Sequence, residues 1–412
     1  MLLACAALGL IGDRSFAQPV KENPYKKAHD ELSKIKGISG LGFTTATSVV
    51  HEITFCRPGQ NNDEVMQDVM KHRYGLGGLK LLRVPSAGLT DAGAKEIKGL
   101  PALERLNLEQ NRITDAGLAE LKDLPNLRAL QLSGNPISGT GLKNPKDMPN
   151  LRELQLSRCP ISDAGLKEIT GHRNLESLDF WDAPFGDGGL KHLKDLKSLG
   201  TLYIVNVRIT DGGIKELANL PALHSLYLKG VPVSGTGFKD FKALRKLDLA
   251  GCPITDDGLK TICANATLNS LDLSATQVSD AGVKELGNLK GLNTLDVTGT
   301  RITGTGIKTI ASMPALSSLK MSKQQVTDDT IHGLLETKRL HIYSLARNGS
   351  KPAASTAEIN RLFLMDAPVT DETLKVLANL KSLEILNVRG TKVTDKGLDE
   401  LKKALPKLKV VR

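Results

Sequence analysis

The stretch Leu-Asp-Phe-Trp-Asp-Ala-Pro-Phe at residues 178–185 holds the only tryptophan of the 412-residue chain. Asp179 and Asp182 lie close to Trp181 on either side. Tyr203 and Tyr227 follow Asp179 at successive intervals of 24 residues, and Asp272 and Asp296 follow Asp248 at the same interval. Aromatic bodies with a polar handle are binding anchors. Carboxylates beside them add hydrogen bonds that suit a sugar or a basic segment. The chemistry these residues offer is recognition rather than bond-making.

Other groups do not change that reading. Ser-Gly-Thr-Gly at 138–141 and 234–237 and Thr-Gly-Thr-Gly at 303–306 lack the spacing of a phosphate-binding loop and its preceding strand context. His51-Glu52 begins a segment without the second histidine of a zinc-protease helix. The eight histidines share no position that would gather them, and no nucleophile motif or cofactor fingerprint stands out. The sequence therefore predicts no enzyme, no cofactor and no metal.

The recurring interval is the main organising feature of the chain. Aligned on the second leucine of Leu-x-x-Leu-x-Leu, the anchors run Leu82, Leu106, Leu130, Leu154, Leu178, Leu202, Leu226, Leu247, Leu271, Leu295, Leu319, Tyr343, Leu362 and Leu386. The steps between these fourteen anchors are 24 residues nearly throughout, shortening between 226 and 247 and between 343 and 362. Ile53 and Val411 are outlying candidates at the two ends. Residues 103–126 are a clean copy. The first half alternates apolar and polar residues and predicts a short strand. The second half spaces Leu118, Leu121 and Leu124 for a helical turn that Thr114 or Asp115 can cap. One unit cannot bury its own apolar face, so the units must stack into a solenoid.

These units resemble the leucine-rich repeat superfamily. The Ile-Thr-Asp-Ala-Gly-Leu and Val-Thr-Asp-Lys-Gly-Leu segments are most similar to the subtype of F-box-associated repeats and of many bacterial secreted repeat proteins. The resemblance covers residues 76–412. It implies an α/β horseshoe with a parallel sheet on the concave face and helices on the convex face. The chain departs from the family at the asparagine-ladder position, which holds Asn only at Asn111 and Asn135. Cys159, Cys252, Thr276 and Thr300 occupy it elsewhere, so the backbone groups there need other partners. Both cysteines read as buried small residues.

In this pattern the residues flanking each anchor turn to the concave surface. The residue after the anchor forms a column: Arg83, Asn107, Gln131, Gln155, Asp179, Tyr203, Tyr227, Asp248, Asp272, Asp296, Lys320, Ser344, Phe363 and Asn387. Trp181 alternates to the same face, which sets Trp181, Tyr203 and Tyr227 on neighbouring strands about 5 Å apart. Seven of the fourteen aromatic residues lie between 178 and 241. Of these, Phe180, Phe185 and Phe238 replace core aliphatics. The small Ser177, Thr201 and Ser225 flank the exposed aromatics and leave room for a ligand. Asp248, Asp272 and Asp296 extend the column as a carboxylate row that repels by about 1 kcal/mol per adjacent pair in water. Ser270 and Thr294 are placed to hydrogen-bond it.

The formal charge of +10 also has a location. Ten units carry a lysine just after the helix start, from Lys95 to Lys375, which forms a convex ladder partly offset by glutamates. It is a solvated helix face or a contact for an anionic envelope polymer. Nucleic acid is not expected for an exported chain.

Residues 2–12 are apolar but too short for a transmembrane helix. With Ser15-Phe16-Ala17 they predict a signal peptide over residues 1–17 and export to the periplasm, cell surface or medium. Residues 18–75 are then an N-terminal segment and cap, in which residues 27–38 are helical and residues 50–55 an added strand. The cysteines do not recur in step with the repeat, and only Cys252 with Cys263 lie close enough to pair.

The sequence thus predicts a non-enzymatic recognition protein that binds a protein partner on the concave face, through Asp179, Trp181, Asp182, Tyr203, Tyr227, Asp248, Asp272 and Asp296. The alternative ligand is a carbohydrate or an anionic envelope polymer. A ubiquitin-ligase substrate adaptor is a further reading by analogy with F-box relatives, although no F-box helix set precedes the repeats.

Overall fold

The computed structural model describes residues 24–36, 38–43, 49–55 and 63–412. The expected signal segment, its cleavage site and Cys56 lie outside these residues.

Thirteen strands follow one another in sequence order from Ile38–Phe43 to Ser318–Lys320. The first two pair antiparallel, and every later neighbour pairs parallel. The strand Val50–Phe55 joins the array through Ile53 opposite Leu82. The leucine anchors are then in register from Leu82 opposite Leu106 to Leu295 opposite Leu319. Each anchor and its partners two or three residues away are buried, as at Leu103, Leu106 and Leu108. They form one apolar core along the solenoid with the isoleucines and leucines of the convex segments. Those segments vary in length: Thr140–Leu142 and Thr236–Phe238 are single 3-10 turns, Asp115–Leu118 spans four residues and Asp395–Ala404 ten.

The convex turns are tied together by a relation between units. Thr114 caps its own helix by accepting the Ala116 N–H at 3.2 Å. Its hydroxyl and N–H both bond the Asp91 carboxylate of the preceding unit, each at 2.7 Å. The same bond joins Asp187 to Thr210, Asp256 to Ser279 and Asp371 to Thr394. Each aspartate therefore sits at the first position of one helix and holds the cap of the next. Bonds to a charged acceptor contribute about 1.5–3 kcal/mol each. This ladder also explains the glycine two residues after the aspartate. A Cβ at Gly213 would lie 2.4 Å from Asp187 Oδ1, closer than side-chain atoms approach.

Inside the turn, Asn111 and Asn135 are buried and bond backbone groups of two units each. Where asparagine is missing, smaller donors each serve one of its two carbonyls, the cysteines that of the preceding unit and the threonines that of their own. Cys252 Sγ donates to the Leu228 carbonyl at 2.7 Å and Cys159 Sγ to that of Leu132 at 3.3 Å. Thr276 and Thr300 donate to Leu273 and Val297. The two cysteines are thus more than space-filling. Cys159, Cys252 and Cys263 are all buried and free.

The array breaks at the second of its two shortened steps; at the first, Leu226 and Leu247 stay in register. Leu319 and Tyr343 form a single isolated bridge. Ala346–Asn348 then pairs antiparallel with both Lys351–Pro352 and Arg361–Phe363. A second, five-stranded sheet carries on from there to Lys409–Val411. The expected unbroken column is therefore split between Ser344 and Phe363. The terminal anchor also differs from expectation. Leu386 pairs with Val410, one 24-residue step onward, and Val411 is exposed.

Candidate binding surface

Parallel pairing fixes the concave column. Asp179 lies opposite Tyr203, Tyr203 opposite Tyr227, Tyr227 opposite Asp248, and Asp248, Asp272 and Asp296 follow in line, ending at Lys320. The strands Ser177–Trp181 and Thr201–Val205 run five residues where most others run three. The extra length carries Trp181 out of the turn and onto the sheet. There Phe180 points into the core and Trp181 is 42% exposed.

The structure divides the predicted site residues into three groups. Tyr203 and Tyr227 stack face to face, with centroids 4.3 Å apart and rings 9° from parallel. Asp179 stands beside them and accepts the Ser157 hydroxyl at 2.7 Å. Trp181 belongs to a second group. It lies opposite Val205, one pleat beyond the tyrosines, and the Arg158 guanidinium covers its ring at 5.0 Å. Asp182 holds this group together: its Oδ2 is 3.7 Å from Arg158 Nε, and its Oδ1 accepts from Asn206 Nδ2 at 3.1 Å. The three aromatics share a face but do not form one continuous stack.

The carboxylate row is the third group, and it supports the backbone. Asp248, Asp272 and Asp296 each accept the N–H two residues onward, from Ala250, Ser274 and Thr298 at 2.8–2.9 Å. Ser270 and Thr294, the expected partners, do not take that role. The bonds close the bend that follows each strand. The second oxygen of Asp296 lies 3.6 Å from Lys320 Nζ. Burial raises the Asp248 carboxyl, and the neighbouring Asp272 and Asp296 charges raise it further. Burial likewise raises Asp179 against the Ser157 bond, and raises the Tyr203 hydroxyl with added effect from Tyr227. The strip is thus partly desolvated and negative, which favours a positively charged group laid along it. Among the described residues, no three His, Cys, Asp or Glu side chains gather closely enough to hold a metal ion.

Sequence reasoning missed Arg158, Asn206 and Ser157. A signal for the first two existed. The position four residues after most anchors takes positive φ, at 57° in Arg158, 55° in Asp182 and 54° in Asn206, with glycine at Gly134, Gly230 and Gly251. This column of left-handed residues lines the loop edge of the sheet, so neighbouring members meet as Arg158, Asp182 and Asn206 do.

Residues 77–137 match a family described as leucine rich repeat. Residues 147–169, 243–263, 264–287, 292–311 and 379–402 match a second leucine rich repeat family. No curated protein matches the chain. Among solved structures, an internalin from Listeria monocytogenes aligns with a TM-score of 0.54 and 20% identity, covering 79% of this chain and 95% of its own. A leucine-rich repeat protein of Leptospira interrogans aligns with a TM-score of 0.55 and 17% identity, covering 94% of this chain and 98% of its own. At such identities the likeness is one of fold. Among the described residues no helix is long and apolar enough to cross a membrane.

Proposed function

Because this chain is built of leucine-rich repeats, we propose that it is a non-enzymatic recognition protein whose concave sheet binds a protein partner between the strands Ser177–Trp181 and Thr294–Asp296. The observation that carries this reading is the exposed Trp181 beside the stacked Tyr203–Tyr227 pair, on a face whose other positions are small or polar. Arg158, Asp182 and Asn206 hold Trp181 ready, so little ordering entropy opposes docking. Asp179, Asp248, Asp272 and Asp296 give the partner's contact segment a basic character.

A carbohydrate could use the same aromatic faces, but an anionic polymer fits poorly beside this carboxylate row. On the convex side Lys308 and Lys375 are bonded to Glu336 and Glu372 at 2.6 Å, which lowers the charge offered to a polyanion. The reading includes export of the chain by the apolar N-terminal segment.

The test is the triple substitution Trp181→Ala, Tyr203→Ala and Tyr227→Ala, measured against a partner captured from the envelope fraction of the native host. The expected result is an intact fold and an affinity lost by about 2 kcal/mol or more, the cost of truncating a buried aromatic anchor. Unchanged affinity moves the site elsewhere. A collapsed melting point makes these side chains part of the core.

A further inference from the structure

A cleft of about 670 Å³ opens at the seam between the two sheets. Pro314, Leu316, Ile342 and Pro352 give it apolar walls, while Lys320, Arg339, His341 and Arg347 stand around it. No carboxylate lines it. Two negative charges act on its lining: Asp296, 3.6 Å from Lys320, and Glu358, whose field reaches His341.

The four cations differ in what they can offer. Arg339 is committed to the backbone carbonyls of Met313 and Leu316. The His341 ring lies 3.2 Å from the Thr356 hydroxyl, and burial together with Arg339 favours its neutral form. Lys320 is shared with Asp296. Among the described residues Arg347 has no such partner; it lines the cleft and lies directly opposite Arg361, which stands just outside the lining, in the antiparallel pairing of Ala346–Asn348 with Arg361–Phe363. The adjacent pair, Ala346 and Leu362, is buried, so both arginines turn to the other face of the sheet. Like charges placed directly opposite are destabilising. Among the described residues neither guanidinium has an acidic partner within ion-pair distance.

We propose that the seam cleft binds an oxyanion carried on a small, partly apolar molecule, with Arg347 and Arg361 as a paired clamp and Lys320 at the rim. Two guanidinium forks match the paired oxygens of a carboxylate or phosphate. The bound charge cancels the repulsion between the arginines, and the apolar walls take the body of the ligand. The volume lies within the range of small-molecule sites, about 300–1,000 Å³. This site is separate from the aromatic surface and does not rest on it.

The experiment is calorimetric titration of the full chain with pyrophosphate and, separately, with citrate. Saturable binding is expected, weakening as salt rises from roughly 50 to 250 mM because exposed charges are then screened. Arg347→Gln and Arg361→Gln should each weaken it by about tenfold, the loss of one charge-assisted bond. Tighter pyrophosphate assigns the natural ligand as a phosphate ester, and tighter citrate as a polycarboxylate. The convex control, Lys260→Gln with Lys284→Gln, removes as much charge as both clamp substitutions together and should bind as the parent does. Without ligand, Arg361→Gln should melt at or above the parent, since it relieves a repulsion. The proposal is overturned if the parent gives no saturable heat, if the convex control loses as much affinity, if the clamp variants bind normally, or if Arg361→Gln melts well below the parent.

Discussion

Asp328 reaches 42 residues along the chain to hold Thr370: its Oδ1 accepts the Thr370 N–H at 2.9 Å and its Oδ2 the hydroxyl at 2.8 Å. The same carboxylate accepts the Thr373 hydroxyl at 2.5 Å. The rest of the ladder spans one unit at a time, but this bond spans the seam. It fastens the helix Asp328–Glu336 to the helix Asp371–Leu377 on the convex side, opposite the place where the sheet is divided.

Asp328→Ala should therefore cost about 3 kcal/mol, since several bonds to one charge disappear together. Burial alone would raise this carboxyl, but bonds from Thr370 and Thr373 outweigh it and hold the group below the ordinary range. Asp115, Asp211 and Asp371 are lowered by the same kind of bond. A lowered folded value gives stability that is full above the unfolded value near 4 and is lost as pH falls through the folded one. Denaturant melts at neutral pH and below about pH 4 should show steep acid weakening, shallower in Asp328→Asn. Equal slopes for parent and variant would sink this account.

Gly213→Ala and Gly287→Ala should act in opposite directions. Alanine normally strengthens a helix by up to about 1 kcal/mol over glycine. At Gly287 nothing lies within 4 Å of the added Cβ, so the change should be neutral or mildly stabilising. At Gly213 the Asp187 carboxylate occupies the space, and overpacking of about 1–3 kcal/mol should win. Thermal melts of the two variants decide it, and a stabilised Gly213→Ala refutes the ladder as the reason for the glycine.

Cys252 should tolerate Thr and resist Val. Threonine keeps a hydroxyl donor at this position, as Thr276 does where it serves the carbonyl three residues back, Leu273. Valine leaves that acceptor unmet at about 1–3 kcal/mol. Burial also pushes the Cys252 thiol up to about 12 and Cys159 to about 11, so neither carries thiolate near neutral pH. Alkylation of the folded protein at pH 8 should miss both, and denaturation should expose them as free thiols. Rapid labelling of either in the folded state would contradict the burial.

Mature protein from the native host should begin at Gln18 if the apolar N-terminal segment directs export. Intact-mass measurement reads this directly. An uncleaved Met1 form confined to the cytoplasm would remove that part of the functional reading.

The anchors from Leu82 to Leu319 were legible because burial recurs with the unit length, and period alone reveals it. Trp181 was legible as an exposed residue because strand alternation carries two positions past Asp179. Its separation from Tyr203 was not, because parallel register sets it against Val205 and Arg158 arrives from the preceding unit. The roles of Asp91 and Thr114 were half legible: a Thr-Asp pair announces a helix start, but nothing local says that Asp91 serves the next unit's threonine. The seam was visible only as the shortened step between 343 and 362. The antiparallel pairing of Arg347 with Arg361 depends on chain reversal that no repeat template contains.

The convex aspartate ladder also has gaps. Glycine replaces its aspartate at Gly139, Gly235 and Gly304, and there the next unit's cap has no carboxylate to hold. At the first gap, Ser162 N–H bonds the Ser138 carbonyl instead, at 3.2 Å. The ladder therefore falls into blocks: Asp63 to Ser138, Asp163 to Ser234, Asp256 to Thr303, and Asp328 to Thr394. In a linear array whose stability is a sum of neighbour couplings, weaker joints set the length over which units melt together. This solenoid should accordingly fray in blocks of three or four linked units, with hydrogen-exchange rates shared within a block and stepping at its borders.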